Sequence, residues 1–169
     1  MSFLGIFSTR SGVRHPEYKT LMSACMDLYT PLKVGQEIEG FDQSNVALKL
    51  VVEEGGILRI PPLARVKIPM GLILGIDESK SARLHIRSSV AYKKGLVLAN
   101  GEAVIDADFR EELQLLISNT SDSWVVVSDQ ERLVQLEVVD LDRAFVRILF
   151  EPLERVGDRR GGIGSTGTN

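Results

Sequence analysis

Short β-rich runs separated by turn residues are the feature that most constrains how this chain can fold. No segment shows a sustained helical period between capping residues, so no long helix is predicted. Strands are predicted, from β-branched and aromatic content and from bounding turn residues, at 23–29, 46–52, 57–60, 71–74, 103–105, 113–117, 124–127, 133–139 and 144–150. Many short strands without intervening helices predict an all-β sandwich or barrel rather than βαβ units.

Composition divides the chain into one main domain and a short tail. Residues 1–20 mix Ser, Gly, Arg and Pro without a clear period, so they predict an irregular lead-in. Residues 53–56, read E-E-G-G, predict a hairpin turn. Residues 156–169 are rich in Gly, Arg, Ser and Thr. We therefore expect one domain over 1–155, large enough for a hydrophobic core, and a flexible glycine-rich arm over 156–169.

Charge and cysteine content argue against several functions. The formal net charge of −3 and the pI near 5.5 are unlike those of a general nucleic-acid binder. Cys25 is the single cysteine and the histidines number two, so neither a disulfide nor the usual structural zinc site can form within the chain. No apolar run reaches the length of a membrane span. We expect a cytoplasmic protein that binds neither nucleic acid nor membranes.

The segment Asn100–Arg110, read N-G-E-A-V-I-D-A-D-F-R, carries the most chemistry. Asn100-Gly101 predicts a tight turn, and the apolar run that follows predicts a strand. If that strand continues, Asp106 and Asp108 share one of its faces. A turn, a buried strand and an emerging carboxylate could form a small-ligand pocket. From these residues alone, a surface hairpin with solvated acids is the simpler explanation.

Two further segments could bind phosphate. Arg87-Ser88-Ser89 combines a guanidinium with two hydroxyls, which together donate several directed hydrogen bonds. The tail R-R-G-G-I-G-S-T-G offers backbone N–H groups, although it lacks the lysine of a P-loop. A capped turn and a simple chain terminus are the alternatives. Ser88 has no G-x-S-x-G context, which disfavours a serine nucleophile.

Taken in order, five segments resemble the five motifs of the trimeric dUTPase family. They are S-A-C-M-D-L, R-S-S, N-G-E-A-V-I-D-A-D-F-R, E-R-L-V-Q-L and R-G-G-I-G-S-T-G, at 23–28, 87–89, 100–110, 131–136 and 160–167. The run K-I-P-M-G-L at 67–72 resembles the family's strand before its second motif. The third motif is the most specific of the five, and the resemblance covers nearly the whole chain.

The resemblance implies a jelly-roll-like β-barrel of the β-clip type, assembled as a homotrimer with active sites between subunits. It implies hydrolysis of dUTP to dUMP and pyrophosphate by water attack on the α-phosphate. It also implies Mg²⁺ bound through the triphosphate and water, without protein ligands of its own. The arm would close over the bound substrate.

The same resemblance assigns individual residues. Asp106 matches the carboxylate that activates the attacking water, and a carboxylate near a metal-neutralised phosphate can serve as a general base. Phe109 stands where a tyrosine usually packs on the deoxyribose. Asp27, Asp108 and Arg132 are expected to have supporting roles. The expected substrate-binding residues are Arg87, Ser88, Ser89, Asn100, Gly101, Ile105, Phe109, Gln135, Arg159, Arg160, Gly162, Ile163, Gly164, Ser165 and Thr166.

The sequence also departs from the family pattern. Cys25 and Ala103 stand where glycine is usual, and Ile163 replaces the aromatic residue that stacks over uracil. Arg159 and Arg160 compete for the γ-phosphate. The interval between the first two motifs is long, which predicts an inserted hairpin at about 34–56 that could contact a protein partner.

Two other functions are compatible with such a fold. A dCTP deaminase would share the barrel and the R-S-S motif, but it needs a glutamate near Leu116, where this chain has no acid. A regulatory protein that binds dUTP and holds a protein partner would use the predicted insertion. Retention of Arg87, Asp106 and Gln135 favours catalysis.

Overall fold

The computed structural model describes residues 3–154 and 156–157, which form thirteen strands and one short helix. The strands are β1 Leu4–Ser8, β2 Met26–Thr30, β3 Glu37–Phe41, β4 Ala47–Val51, β5 Ile57–Ile60, β6 Arg65–Pro69, β7 Leu72–Ile76, β8 Lys80–Ile86, β9 Leu96–Leu98, β10 Ala103–Ile105, β11 Gln114–Asn119, β12 Val125–Ser128 and β13 Glu131–Asp140, and helix α1 is Ser88–Lys94. The all-β prediction is confirmed.

The described strands form four antiparallel sheets. The two large ones have the orders β10-β8-β13-β2 and β4-β3-β6-β11-β9, and the two small ones pair β1 with β7 and β5 with β12. Apolar side chains alternate along most strands, as in Leu115 and Ile117 of β11, and the inward-facing members form one buried cluster. This alternation leaves the outward positions free to carry polar groups.

The strand predicted at 144–150 is wrong. Residues 141–149 have no regular secondary structure, and Phe145, Val146 and Phe150 are almost fully exposed. A strand requires a partner for its backbone groups, and within the described chain this segment has none. Its β-branched and aromatic residues favour a strand, but the described residues offer no neighbouring strand for it to pair with.

The irregular lead-in predicted for residues 1–20 is also wrong in part. Its first segment forms β1, which pairs with β7 so closely that Gly5 lies opposite Gly75. A Cβ on either glycine would lie 3.4 Å from the other's Cα, so the pairing places both backbones in contact. Composition alone could not reveal this pairing.

The turn predicted at 53–56 is present, because the Gly56 N–H donates to the Glu53 carbonyl at 3.1 Å. The flanking strands do not pair with each other, however: β4 pairs with β3, and β5 pairs with β12. Within the interval 34–56, β3 and β4 form a hairpin, and β3 joins it to β6. Gly40 permits this contact, because a Cβ there would lie 2.4 Å from the Arg65 carbonyl oxygen.

Candidate functional site

A cluster of polar residues lies where β2, β8 and β13 are neighbours. We call Asp27, Arg87, Arg132 and Gln135 the arginine cluster. Asp27 is on β2, Gln135 lies opposite it on β13, and Arg87 directly follows β8. Three segments that are distant in sequence therefore meet, and they belong to the first, second and fourth of the motifs described above.

Asp27 is the centre of the arginine cluster. Its side chain is only 9% exposed, and its two oxygens accept from different arginines: Oδ1 lies 3.2 Å from Arg87 Nε and Oδ2 lies 2.8 Å from Arg132 Nη1. The Arg87 side chain also donates to the Arg132 carbonyl at 3.2 Å. A carboxylate with so little access to solvent needs hydrogen bonds from paired cations to offset its desolvation. The same bonds fix the positions of both guanidinium groups.

Ser88 and Ser89 begin α1 immediately after the arginine cluster. Arg87 occupies the N-cap in an extended conformation, and no side chain caps the helix. Both serines are exposed, so their hydroxyls can donate to a ligand. The turn expected at these residues is thus the first turn of a helix, which ends at Gly95 with a φ of 63°.

Cys25, two residues before Asp27, has a thiol whose pKa is raised. Burial raises the pKa of Cys25, and the negative charges of Glu137 and Asp27 raise it further. A thiol with a raised pKa is a poor nucleophile at neutral pH. Cys25 is therefore suited to packing and not to covalent chemistry.

The second group of candidate residues surrounds the turn between β9 and β10, which we call the open turn. The Gly101 N–H closes it by donating to the Leu98 carbonyl at 3.0 Å, with the φ of Gly101 at 73°. The two strands then diverge, since β9 pairs with β11 while β10 pairs with β8. Each is the last strand of its sheet, so each has one edge without a strand partner among the described residues.

A cavity of about 210 Å³ lies beside the open turn. Asn100, Ile105, Asp106 and Phe109 line it. Strand β11 adds Gln114 and Leu116, which the sequence did not identify as site residues. Their outward positions in the alternation of β11 were the available signal. A carboxylate and an aromatic ring therefore line the cavity, and the unpaired strand edges of β9 and β10 begin at the same turn.

The paired-carboxylate geometry considered for Asp106 and Asp108 does not occur. Strand β10 ends at Ile105, so neither aspartate lies on a strand. Both are exposed, and no hydrogen bond to the Asp108 carboxylate is present in the described part of the chain. The idea that they share a strand face is wrong, because the chain turns at Asp106, whose carbonyl accepts from Phe109 N–H at 3.2 Å.

Asp106 and Arg87 lie far apart within one chain. Ile105 is opposite Ala82 on β8, and Arg87 lies five positions further along the chain. At the rise of a β-strand this is about 17 Å, and Asp106 extends the separation because β10 runs antiparallel to β8. We call the cavity that Asp106 lines and the arginine cluster the two half-sites.

The predicted tail residues lie outside the described residues: Arg159, Arg160, Gly162, Ile163, Gly164, Ser165 and Thr166.

Within 3–154 and 156–157, no three His, Cys, Asp or Glu side chains are grouped as a metal ion would require. The helix found in this same part of the chain is too short to cross a membrane. Divergent strand edges and an exposed carboxylate can bind polar groups of a ligand, and the arginine–serine group can bind an anion.

Comparison with known proteins identifies the family. The dUTPase family profile matches residues 42–167. The deoxyuridine 5'-triphosphate nucleotidohydrolase of Aquifex aeolicus (strain VF5) is 38% identical over 103 residues, which are 61% of this chain and 67% of that protein. The enzyme of the same name from Rhizobium johnstonii is 28% identical over 136 residues, 79% and 86% of the two chains. This chain belongs to the dUTPase family.

Solved structures agree with that assignment at the level of the fold. A mutant dUTPase of Staphylococcus bacteriophage 80alpha with dUpNHpp superposes with a TM-score of 0.76 at 18% identity, covering 99% of this chain and 100% of that one. A mutant dUTPase from phage phi11 of S. aureus, described with a structural Mg(II) ion, gives 0.67 at 16% identity, covering 88% and 97%. The dUTPase-like fold is therefore confirmed.

Asp27→Asn tests the importance of the arginine cluster. Removing the charge leaves two guanidinium groups without their counter-ion, so we expect the free energy of unfolding to fall by about 2–3 kcal/mol, less than for a fully buried pair because both arginines are partly exposed. Urea unfolding followed by circular dichroism measures the change. The matched control is Asp140→Asn, which breaks the ion pair of the 87% exposed Asp140 side chain with Lys80. Equal losses for the two variants would contradict a central role for Asp27.

Proposed function

We propose that this protein hydrolyses dUTP to dUMP and pyrophosphate, as a dUTP diphosphatase. The observation that carries the proposal is the cavity beside the open turn, where Asn100, Asp106 and Phe109 converge. These are the three residues for which the family resemblance implies base recognition, water activation and sugar contact. Family membership adds independent support.

The open turn suits recognition of a uracil edge. Uracil presents an N–H donor between two carbonyl acceptors, and the unpaired edges of β9 and β10 supply backbone donors and acceptors. A fixed backbone rejects a ring with the wrong pattern, because its own polar groups would then be left unsatisfied. Asn100 and Gly101 lie at the turn itself, and Ile105 supplies an apolar wall.

Asp106 would be the general base. It is exposed at the mouth of the cavity and forms no ion pair among the described residues, so its carboxylate can reach a water molecule. It would take a proton from the water that attacks the α-phosphorus, and the pyrophosphate group would leave. Asp108 is left with a supporting role in the turn.

Phe109 would select the sugar. Its ring is 38% exposed and lines the cavity close to Asp106. An aromatic face packed against deoxyribose leaves no space for a 2′-hydroxyl, and this exclusion needs only the ring. Replacement of the usual tyrosine by phenylalanine should therefore preserve discrimination against ribonucleotides.

The phosphates would lie against the arginine cluster of a neighbouring chain. Ser88 and Ser89 present exposed hydroxyls, Arg87 is held in place by Asp27, and Gln135 lies opposite Asp27 on β13. Arg132 would hold Asp27 in position instead of contacting substrate. The arm beyond residue 157 would complete the γ-phosphate site through Arg159 or Arg160 together with the glycine-rich residues that follow.

Mg²⁺ would be brought by the substrate. Both Asp27 oxygens are already occupied by arginines, and the described residues contain no three-ligand group for a cation. Mg²⁺ commonly keeps several water ligands and binds through substrate phosphates, which suits such a site. When bound it would neutralise phosphate charge, while the chain's own residues orient the nucleotide and the water.

The residue at position 116 disfavours the dCTP deaminase alternative. Leu116 lines the cavity at the place where that reaction needs a glutamate. An aliphatic side chain can neither donate nor accept a proton, so deamination would lack its acid–base group.

We expect Asp106→Asn to lower kcat for dUTP at least about a hundredfold, because the amide cannot accept the proton from water. Affinity for dUpNHpp should change little, since the amide is nearly isosteric. The matched control, Asp108→Asn, alters an exposed aspartate two positions away and should retain turnover. Pyrophosphate release is measured with dUTP, UTP, dCTP and dTTP. Full activity in Asp106→Asn, or ammonia release from dCTP by the unmodified protein, would overturn the proposal.

A homotrimer would complete the active site. Asp106 and Arg87 of one chain are about 17 Å apart or more along β8, too far for one water and one α-phosphate to contact both. A cyclic assembly can join the cavity of one copy to the arginine cluster of the next. The exposed apolar segment at 145–150 supplies surface that such an assembly can bury.

We assign the outward face of the β3–β4 hairpin to a protein partner and not to the trimer. Phe41 and Val46 are 44% and 60% exposed there. The hairpin tip is well ordered, because Asp42 Oδ1 accepts from the N–H groups of Ser44 and Val46 at 2.8 and 2.9 Å. A rigid exposed tip loses little conformational entropy on binding.

Sedimentation velocity tests the trimer and shows whether the hairpin belongs to its interface. We expect the unmodified protein to have the mass of three chains. The variant Val46→Asp should keep that mass and its dUTP turnover, because Val46 is 60% exposed beside β4. A monomeric unmodified protein would contradict the trimer. A trimer lost only in Val46→Asp would place the hairpin in the trimer interface.

A further inference from the structure

We propose that Glu112, supported by Arg10, is a positioning residue for the loop that carries Asp106 and Phe109. The inference rests on the proposed function and extends it to two residues outside the cavity. The loop joins β10 to β11 across residues 106–113 and contains no regular secondary structure. Its conformation therefore depends on a small number of specific contacts.

Contacts inside the loop fix only its first half. The Phe109 N–H donates to the Asp106 carbonyl at 3.2 Å, and the Arg110 guanidinium donates to the Ala107 carbonyl. Ala107 is buried and anchors this part against the core. Residues after Phe109 need a separate anchor, since the ring itself is partly exposed.

Glu112 provides that anchor. Its Oε1 accepts the Gly71 N–H at 2.6 Å, a charge-assisted bond from a carboxylate to the corner between β6 and β7. Adjacent backbone bonds continue the contact, from Met70 N–H to the Leu113 carbonyl at 2.9 Å and from Leu113 N–H to the Leu72 carbonyl at 2.8 Å. The second half of the loop is thereby fastened to this corner.

The N-terminal segment fixes the corner in turn. Gly71 has a φ of 70°, and a Cβ there would lie 2.5 Å from Val13 Cγ2, so the segment fills the space that a side chain would need. The Thr9 N–H also donates to the Gly71 carbonyl at 2.9 Å. The corner and the segment around residues 9–13 thus form one unit.

Arg10 connects this unit to two strand ends and to Glu112. Its Nη2 donates to the carbonyls of Pro31 and Pro69 at 3.2 and 3.1 Å, directly after β2 and at the end of β6. Its Nη1 lies 3.9 Å from Glu112 Oε1, a long ion pair. The shorter bond to Gly71 is therefore the main restraint on Glu112, and Arg10 acts by holding the corner and orienting the carboxylate.

Loss of this anchor should alter catalysis without unfolding the protein. Phe109 lies three residues before Glu112, at the end of the fixed first half, so release of the second half lets its ring move from the sugar and shifts the nucleotide relative to Asp106. Small displacements of reacting groups are costly to catalysis, up to about a hundredfold for about 1 Å. A role limited to stability would leave the kinetic constants unchanged well below the melting temperature.

The experiment compares Glu112→Ala with Glu111→Ala, because both glutamates line a separate surface pocket on which Phe109 also borders, but only Glu112 bonds to Gly71. We measure kcat and KM for dUTP and UTP, with dUpNHpp affinity in parallel. Glu112→Ala should lower kcat/KM for dUTP by about tenfold to a hundredfold and narrow the preference over UTP. Glu112→Gln, whose amide oxygen can still accept from Gly71, should recover most of that loss, and Arg10→Gln should give a smaller loss in the same direction.

Equal kinetic constants for the two alanine variants would overturn the inference. So would a lower melting temperature for Glu112→Ala with an unchanged KM and an unchanged dUTP preference. If the unmodified protein binds dUpNHpp but does not turn over dUTP, the proposed hydrolysis fails. In that case the positioning role is judged from affinity, which must fall in Glu112→Ala and not in Glu111→Ala.

Discussion

The divergence of β9 and β10 is the constraint on which the candidate site depends. Because β9 joins the sheet of β11 and β10 joins the sheet of β8, the turn between them cannot close into an ordinary paired hairpin. Backbone groups that would otherwise bond across the hairpin are left for a ligand. The same divergence opens the cavity into which Asp106 and Phe109 project at the exit of β10.

The second half-site depends on a different kind of interaction. Asp27 is charged, little exposed and bound by two arginines, so β2, β8 and β13 must meet in one register for it to be satisfied. Such a network costs desolvation energy but fixes geometry when every member is paired. It orients Arg87 at the start of α1, next to the exposed hydroxyls of Ser88 and Ser89. The fixed positive charge of the arginine cluster suits the phosphates of a nucleoside triphosphate, and the unpaired backbone groups of the open turn suit its base.

Sequence alone predicted the parts of this arrangement that depend on local pattern. The alternation in β11 and the apolar run of β10 are local properties, and the residue types at Asp106 and Arg87 can be read directly. Pairing partners could not be inferred in the same way. Strand β1 was missed because its stability comes from β7, and 144–150 was assigned to a strand although no strand among residues 3–154 pairs with it. The restraint of Glu112 on Gly71 joins residues far apart in sequence, and no motif marks it.

We expect a working site to combine the cavity of one chain with the arginine cluster of another. The direct measurement is dUTP turnover after co-assembly of two inactive variants, Asp106→Asn and Ser88→Glu, the latter placing a negative charge where phosphate should bind. In a random one-to-one mixture, about a quarter of the sites combine an intact Asp106 with an intact Ser88 from the neighbouring chain. We predict that about a quarter of the unmodified activity returns. Activity no higher than that of either parent variant would contradict the account, because it would mean that each chain holds both halves of its own site.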